Sequence, residues 1–547
     1  MRQQDSVLIV GAGPVGMATA ATLAKHGIRP IIIERNASPT SLSKAIGIHA
    51  ITLELMQTLG LSEQFVAHGV PHRYATLNAG SREILRVDFE QIQSSYPMVL
   101  ALPQSSTERL LRQTLNCHDI EIKWNTELTQ LKTLADGSCE VALVNGKVRE
   151  TRQVQWVLAC DGSHSTVRRL QDIPFPGGEY ERAFILGDVM MDWPDGNPEQ
   201  LQFFLSRQGY ILIVPLPEGR HRIICQTDAE FIAGDKTGER RAITLDDLQR
   251  IVDRNGPGGI KVHSPQWLTS APFYHRMADN PIQGNIILLG DAFHLFSPLG
   301  GQGLNTGFQD AFNLGWKLAW HLKGWADRSL VETYATERTQ VAQRIQQVTA
   351  KTTSFITGTS LPLDLIRRYL VPLYGSRQSV QNSLPWLYSG LRQCYTNSPL
   401  VNQQPLGQLQ SGHRLPYLTL SQPGSTREQP IDQLIHGQAF TLFLVNRKLS
   451  SADIEPGVRE LANFTRHLPV LGISINHESS GFDTYRVEQN ALKAWLGKER
   501  GGWVLVRPDG HVATVAAIGE EQRISGYLKD LLPGLIDKQR TEQEEAA

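Results

Sequence analysis

The sequence predicts an α/β protein in which a parallel, helix-flanked sheet is interrupted by an antiparallel β-sheet domain and followed by a C-terminal α/β domain. Three observations lead there. Near the N-terminus, SVLIVGAGPVGMATAATLAKHGIRPIIIERN runs from an apolar strand through spaced glycines into a helix and a second apolar strand. Far along the chain, the apolar run 286–289 delivers a second acidic, glycine-rich loop, GDAFHLFSPLGGQGLN, into another helix. Between them, residues 179–279 turn to short strand-like runs bounded by turns.

Length and charge narrow the possibilities before any motif is read. At 547 residues the chain exceeds what one hydrophobic core serves, so three or four domains are expected, one of them discontinuous. Lys and Arg number 53 against 54 Asp and Glu, and a net charge of −1 offers no field to attract nucleic acid or an anionic membrane. Five cysteines occur without a C-x-x-C pair, so no metal site and no disulfide framework is expected, and a reducing cytoplasm fits best. The apolar start does not read as a secretory signal, because Gly11, Gly13, Pro14 and Gly16 break it. No window approaches the roughly 18 apolar residues of a membrane span.

In order along the chain, 6–10 reads as a buried strand, 15–26 as a helix and 29–33 as a second strand, a βαβ opening. Helical periodicity returns at 51–61 and 107–115, β-like runs alternate with turns over 120–148, and 155–159 ends at Cys160, Asp161 and Gly162. Runs such as 201–205 and 210–215 belong to the antiparallel domain, read as a cover over substrate. Phe308, Ala311, Phe312, Gly315, Leu318, Ala319 and Leu322 then recur at helical spacing. Residues 361–394 look helical with proline breaks, and 397–411, rich in Asn, Gln and Pro, read as a linker. Beyond it, 439–445, 468–475, 503–507 and 512–517 are strand-like, Pro508, Asp509 and Gly510 form a turn, and 521–532 a closing helix.

Glycines at 11, 13 and 16 permit a tight turn, close approach of backbone to a pyrophosphate and close helix packing, while the helix start offers free N–H groups to anionic oxygens. Glu34 lies 18 residues beyond Gly16, near the spacing at which an acid accepts ribose hydroxyls. These features indicate a dinucleotide without separating FAD from NAD. Asp291 separates them, because an acid after a buried strand can bond the ribityl chain that only the flavin dinucleotide carries. Gly300, Gly301 and Gly303 then let main-chain amides approach a flat ring, and the following helix turns its positive end toward it.

On these residues the chain resembles the class A flavoprotein monooxygenases, the single-component aromatic hydroxylases related to p-hydroxybenzoate and phenol hydroxylases. Three motifs carry the resemblance: Gly11, Gly13 and Gly16 with Glu34; Asp161 and Gly162 in CDGSHSTVRR; and Gly290 and Asp291 with Pro298, Gly300, Gly303, Asn305, Asp310 and the Trp316, Lys317, Leu318 triplet. The resemblance implies a Rossmann-like FAD domain over residues 1–75, 102–178 and 280–345, a substrate domain over 76–101 and 179–279, and a helical connection over 346–396. Residues 412–547, with GHRLPYLTL and RPDGHVATVA, look like the thioredoxin-like domain of the phenol hydroxylase and 3-(3-hydroxyphenyl)propionate hydroxylase branch. No cysteine follows Cys394, which excludes thiol exchange there and leaves a structural or homodimer role.

The cofactor contacts implied are Gly11, Gly13, Pro14, Val15, Gly16, Glu34, Arg35, Lys44, Gln104, Asp161, Asp291, Pro298, Gly300, Gly301, Gly303, Leu304 and Asn305. The family commonly carries Arg where Lys44 stands, and often another where Ile51 stands; lysine keeps the charge and loses the planar fork. The activity implied is reduction of FAD by NADPH or NADH, capture of O₂ as a flavin C4a-hydroperoxide, and oxygen transfer to an aromatic or phenolic ring, either a small phenolic acid or a polycyclic polyketide. Such chemistry needs a dry cavity, for which Phe203, Tyr210, Phe296 and Pro298 are the lining candidates. His49, Tyr210 and His294 could each serve as a base, and the sequence selects none. An FAD-dependent reductase or dehydrogenase of the same fold is the alternative reading, and a flavin-bound sensor a more remote one.

Overall fold

Val7–Val10, Ile31–Ile33, Trp156–Ala159 and Ile286–Leu288 are apolar runs with almost no polar face, as strands buried on both sides must be. They assemble side by side and parallel, in the order Ile286–Leu288, Trp156–Ala159, Val7–Val10, Ile31–Ile33, with Ile122–Lys123 on one edge and an antiparallel Ile282–Gln283 on the other. Because they are parallel, all their C-terminal ends meet at one edge. Gly11, Glu34, Cys160 with Asp161, and Gly290 with Asp291 therefore emerge as neighbours. The structure, a computed structural model, describes residues 6–40, 45–180, 183–194, 196–206, 209–227, 242–271, 273–358, 360–402 and 404–538. Lys44 lies outside the described residues.

Small residues let the two principal helices close on this sheet. Pro14–Lys25 packs against Gln302–Leu322, where a Cβ at Gly315 would stand 2.4 Å from Thr22 Cγ2 and one at Gly307 would stand 2.6 Å from Val15 Cγ2. The helices expected at 51–61 and 107–115 are Ala50–Gln57, continued after a turn by Ser62–His68, and Gln104–Cys117.

The interrupting domain is a seven-stranded sheet in the order Lys261–Ala271, Ala183–Asp192, His221–Thr227, Gly209–Pro215, Gln200–Ser206, Tyr74–Ala79, Arg82–Asp88. It departs from the antiparallel expectation at one pairing, since Gln200–Ser206 runs parallel to Tyr74–Ala79. Those two strands come from separate passages of the chain through the sheet, so no hairpin forces them antiparallel. Along Gly209–Pro215 the alternation is strict: Ile211 and Ile213 face the helix Leu245–Asn255, while Tyr210, Leu212 and Val214 face the opposite side. That helix is closed at its start by a capping box between Thr244 and Asp247.

The C-terminal sheet places Phe440–Asn446 at its centre, parallel to Val470–Ile475, which is itself parallel to Asp483–Tyr485; on the other side Gly501–Val506 and Val512–Ala517 run antiparallel. Its core is continuous with that of the first domain. Trp316 and Trp320 on the long helix meet Phe440 edge-on and tilted, with ring centroids 5.8 Å and 5.5 Å apart. Residues 397–411, expected as a linker, are packed instead: Leu406 and Leu409 are buried in the C-terminal core and Gln408 N–H donates to the Trp495 carbonyl at 2.7 Å. Two leucines in a polar stretch escape a composition-based reading. Among the described residues, no helix is long and apolar enough to cross a membrane.

Candidate active site

The neighbouring strand ends enclose one large cavity of about 1280 Å³, which runs from Glu34 and Trp124 past the first glycine loop and Asp291 to the inner face of the seven-stranded sheet. At its first end, Gly11 is held at φ +101°, and a Cβ there would lie 2.4 Å from the Cys160 carbonyl oxygen. Two strand ends touch through bare backbone at this point. Gly16 serves packing too, since its Cβ would fall 2.0 Å from the Gly11 oxygen. Gly13 differs. Among the described residues nothing lies within 4 Å of where its Cβ would be, and it caps a helix whose start has neither a side-chain cap nor an acidic residue. Uncapped N–H groups facing an open cradle fit a pyrophosphate.

Glu34 is anchored rather than loose: one oxygen accepts from Ala12 N–H at 3.0 Å and the other from Asn36 N–H at 3.0 Å. Arg35 stands exposed beside it on the cavity wall. Asp161 caps the helix Thr166–Leu170 through Thr166 and Val167 N–H at 2.6 Å and 3.2 Å; burial pushes its carboxyl upward, and its second oxygen is buried without a partner among the described residues. Gln104 reaches the wall while accepting from Ala45 N–H at 3.1 Å and donating to Glu108 at 2.9 Å.

At the other end, Asp291 lies exposed to the cavity in a short turn, followed by Pro298, Gly300, Gly301, Gly303 and Leu304 along the wall. Gly301, at φ +63°, starts the helix Gln302–Leu322, again with no side-chain cap. The positive end of a 21-residue helix is thereby directed at the cavity. His49 backs this loop. Its ring is hydrogen-bonded to the Gly300 backbone, and burial lowers its pKa to about 4.

Behind the wall, Asp310 is fully buried and accepts from Gly290 N–H at 3.0 Å, His294 Nε2 at 2.8 Å and Arg338 Nε at 2.7 Å. Burial opposes its ionisation, yet His294 and Arg338 hold it below the usual carboxylate range. Arg338 also donates to the Tyr395 hydroxyl at 3.2 Å. One residue before it, Glu337 receives Lys317 at 2.6 Å and a bidentate Arg507 at 2.6 Å and 2.9 Å, so a C-terminal-domain cation seals this buried network. Burial lowers Lys317 to about 8 against the pull of Glu337.

Several expected residues stand elsewhere than the wall. Gly16 is buried within its helix. Asn305 lies behind the loop with its amide fully engaged, accepting from His49 N–H and Thr52 Oγ1 and donating to the Gly47 and Gly301 carbonyls. It ties the helix start to the 47–52 turn. Tyr210, expected to line the cavity, is a correction: it is fully buried against Phe184, and the wall belongs to Leu212 and Val214 further along the same strand face. His294 is taken up by Asp310 and stacks on Phe296, which leaves it as structure. Phe203 and Phe296 do line the cavity. The sequence reading missed the roof formed by Thr352, Phe355, Ile356 and Tyr388, which nothing in the local sequence marked.

With this geometry in view, residues 4–349 match the family described as FAD binding domain. The chain belongs to this FAD-binding family. Within it, the chain is 30% identical over 524 residues to 6-methylpretetramide 4-monooxygenase of Streptomyces rimosus, covering 93% of this chain and 90% of that one. It is 31% identical over 357 residues to pentachlorophenol 4-monooxygenase of Sphingobium chlorophenolicum, covering 64% and 65%. The solved structure of OxyS anhydrotetracycline hydroxylase from Streptomyces rimosus superposes with a TM-score of 0.77 at 26% identity, over 96% of this chain and 99% of the other. The FAD-binding protein described here is thus an FAD-dependent aromatic monooxygenase.

Proposed function

We propose that the enzyme hydroxylates a neutral polycyclic aromatic compound, of the size of a phenolic polyketide, held between the Pro298–Gly301 turn and the inner face of the seven-stranded sheet. The observation that supports this most is the continuity of one cavity from Gly13 to Leu212 and Trp267. Its far arm is apolar. Leu77, Leu186, Phe203, Leu212 and Trp267 line it, and among the described residues the sheet contributes no cation that would receive a substrate carboxylate. Lys351, beside Thr352 on the roof, is a cation that reaches this cavity, so a small phenolic acid would have to turn its charge away from the sheet face. The two polycycle-named relatives, of 6-methylpretetramide and anhydrotetracycline, also match along more of this chain than the pentachlorophenol enzyme does.

Bound FAD, reduced by NADPH or NADH, would supply the activated oxygen. The chain's own part is to hold and to dry the site. Gly13 and the start of Pro14–Lys25 would receive the pyrophosphate, Glu34 the ribose, Asp291 the ribityl chain, and the positive start of Gln302–Leu322 an edge of the flavin ring. His49, neutral near pH 7, fixes the Gly300 backbone. The apolar arm excludes the water that would otherwise divert reduced oxygen into hydrogen peroxide. Residues 412–547 we read as a thioredoxin-like fold without redox function, since all five cysteines are free and none lies within it. Free cysteines also support a cytoplasmic location, and the assembly this reading favours is a homodimer.

The test is NADPH and NADH oxidation in air with a panel of polycyclic phenols and small phenolic acids. The reading expects stimulation by a polycycle, a product heavier by one oxygen atom, and no turnover without O₂. Equal anaerobic turnover would point to a reductase, and stimulation by small acids alone would overturn the substrate class.

A further inference from the structure

Among the described residues ten large hydrophobic side chains are exposed, and eight of them fall between Leu361 and Leu387. Such clustering is not the scatter of an ordinary surface. The segment is one continuous helix, Leu361–Leu365 running through a π turn, Ile366–Leu370, into Val371–Gly375. Leu361, Leu365, Tyr369 and Leu373 form a row at four-residue spacing, and Ile366, Leu370 and Tyr374 form a second beside it. Exposure reaches 66% at Tyr369 and 64% at Leu361. The helix is amphipathic with its apolar face turned outward.

Its inner face is already engaged. Arg367 is buried, donates to the Phe355 carbonyl and lies over the Phe355 ring at 5.5 Å, and a Cβ at Gly375 would touch Leu85 at 2.7 Å. Phe355 and Leu85 both line the cavity, and Leu387 is at once cavity wall and exposed surface. The outward stripe therefore sits over the rim of the substrate arm.

We infer that this stripe is the interface through which two copies of the chain pair, each helix backing Phe355 and Leu85 of the substrate arm in its own subunit and pressed against them by its partner. Area favours a second copy: the eight side chains expose on the order of 800 Å², which matches the ~800 Å² per partner of a standard interface and exceeds the largest patch of a typical monomer. Shape favours it as well, since four-residue ridges mesh with an identical set across a twofold axis. A lipid surface is the poorer occupant. Interfacial helices carry a row of cations along the polar face, whereas here Arg367 is buried, Arg368 is paired with Asp364 at 3.2 Å, and Arg377 past the helix end is stacked over Tyr374 at 4.5 Å. The backing role rests on the hydroxylase reading; the pairing itself does not.

Sedimentation velocity on the FAD-loaded full-length protein, over about a hundredfold range of concentration, reads the assembly directly. The expected result is a dimer that falls to half its mass in the double variant Leu365→Arg, Leu373→Arg, with FAD content unchanged. Hydrogen exchange on the wild type gives a variant-free check: protection of residues 361–375 should rise with concentration. A wild type that stays monomeric, a dimer indifferent to the double substitution, or concentration-independent exchange in this segment would each overturn the inference. Flotation of the wild type with phosphatidylcholine and phosphatidylglycerol vesicles, lost in the double variant, would overturn it in favour of a membrane. None of these readouts uses turnover, so failure here leaves the hydroxylase reading standing, and failure of that reading leaves the pairing intact.

Discussion

Gly13→Ala separates binding from folding more cleanly than any other change in the first loop. Gly13 sits at φ −71°, ψ 178°, a conformation alanine adopts without strain, and among the described residues nothing lies within 4 Å of the added methyl. The apoprotein should hardly notice: alanine gains roughly 0.4–1 kcal/mol by restricting the unfolded chain, and losing a glycine N-cap costs a comparable few tenths to 1 kcal/mol. The bound state should notice a great deal. The methyl fills the cradle over the uncapped helix start, and each N–H bond to a charged phosphate that is displaced forfeits about 1.5–3 kcal/mol, or roughly a 10- to 150-fold weaker FAD Kd. Calorimetric titration of apoprotein with FAD, beside thermal melts of the two apoproteins, measures both quantities. Wild-type affinity in Gly13→Ala, or an apoprotein melting far lower, would refute the reasoning. Gly11→Ala is the contrasting variant, because its methyl meets the Cys160 carbonyl at 2.4 Å and φ is +101°, so the apoprotein itself should be destabilised by about 1–3 kcal/mol.

Three further outcomes are expected. Burial lowers His49, His72 and His511 to about 4, from an ordinary 6.5, so the folded chain keeps them neutral while the unfolded chain takes up protons first. Their contribution is complete above pH 6.5 and is lost progressively down to about pH 4, at about 1.4 kcal/mol per pH unit each, so denaturation midpoints should fall steeply between pH 6.5 and about 4; a flat profile would contradict this. Arg338→Met strips Asp310 of one partner while leaving it buried, and should lower stability by about 3–5 kcal/mol in denaturant titrations, with flavin fluorescence released before the C-terminal domain unfolds. Truncation after residue 411 uncovers Trp316 and Trp320 and leaves Glu337 without Arg507; the product should be insoluble or lose FAD, and a soluble, yellow truncated protein would show the C-terminal domain to be dispensable.

Elements whose burial is uniform could be read from the chain. Residues 7–10, 156–159 and 286–288 are apolar without interruption because both sheet faces are covered, and that pattern, with a glycine or acid at each end, located in advance the loops that line the cavity. What depends on where two distant elements meet was not legible. Alternation in Gly209–Pro215 announced a two-faced strand, but not that Leu212 rather than Tyr210 would reach the cavity. Asn305 could equally touch a ring or brace a loop, and only the positions of Gly47, His49 and Thr52 decide for the brace. Phe355 and Tyr388 became cavity roof through packing that no local spacing encodes. Leu406 and Leu409 looked like incidental apolar residues in a polar stretch until the C-terminal core closed over them.

The claim on which the account turns is that a single flavin dinucleotide is held along its full length, from Glu34 to the turn at Gly300. Equilibrium dialysis of the apoprotein against FAD and, separately, FMN tests it most directly, since FMN lacks the adenosine half that Gly13 and Glu34 would grip. One FAD per chain with FMN bound far more weakly is the predicted result; no FAD bound, or FMN bound equally well, would contradict it.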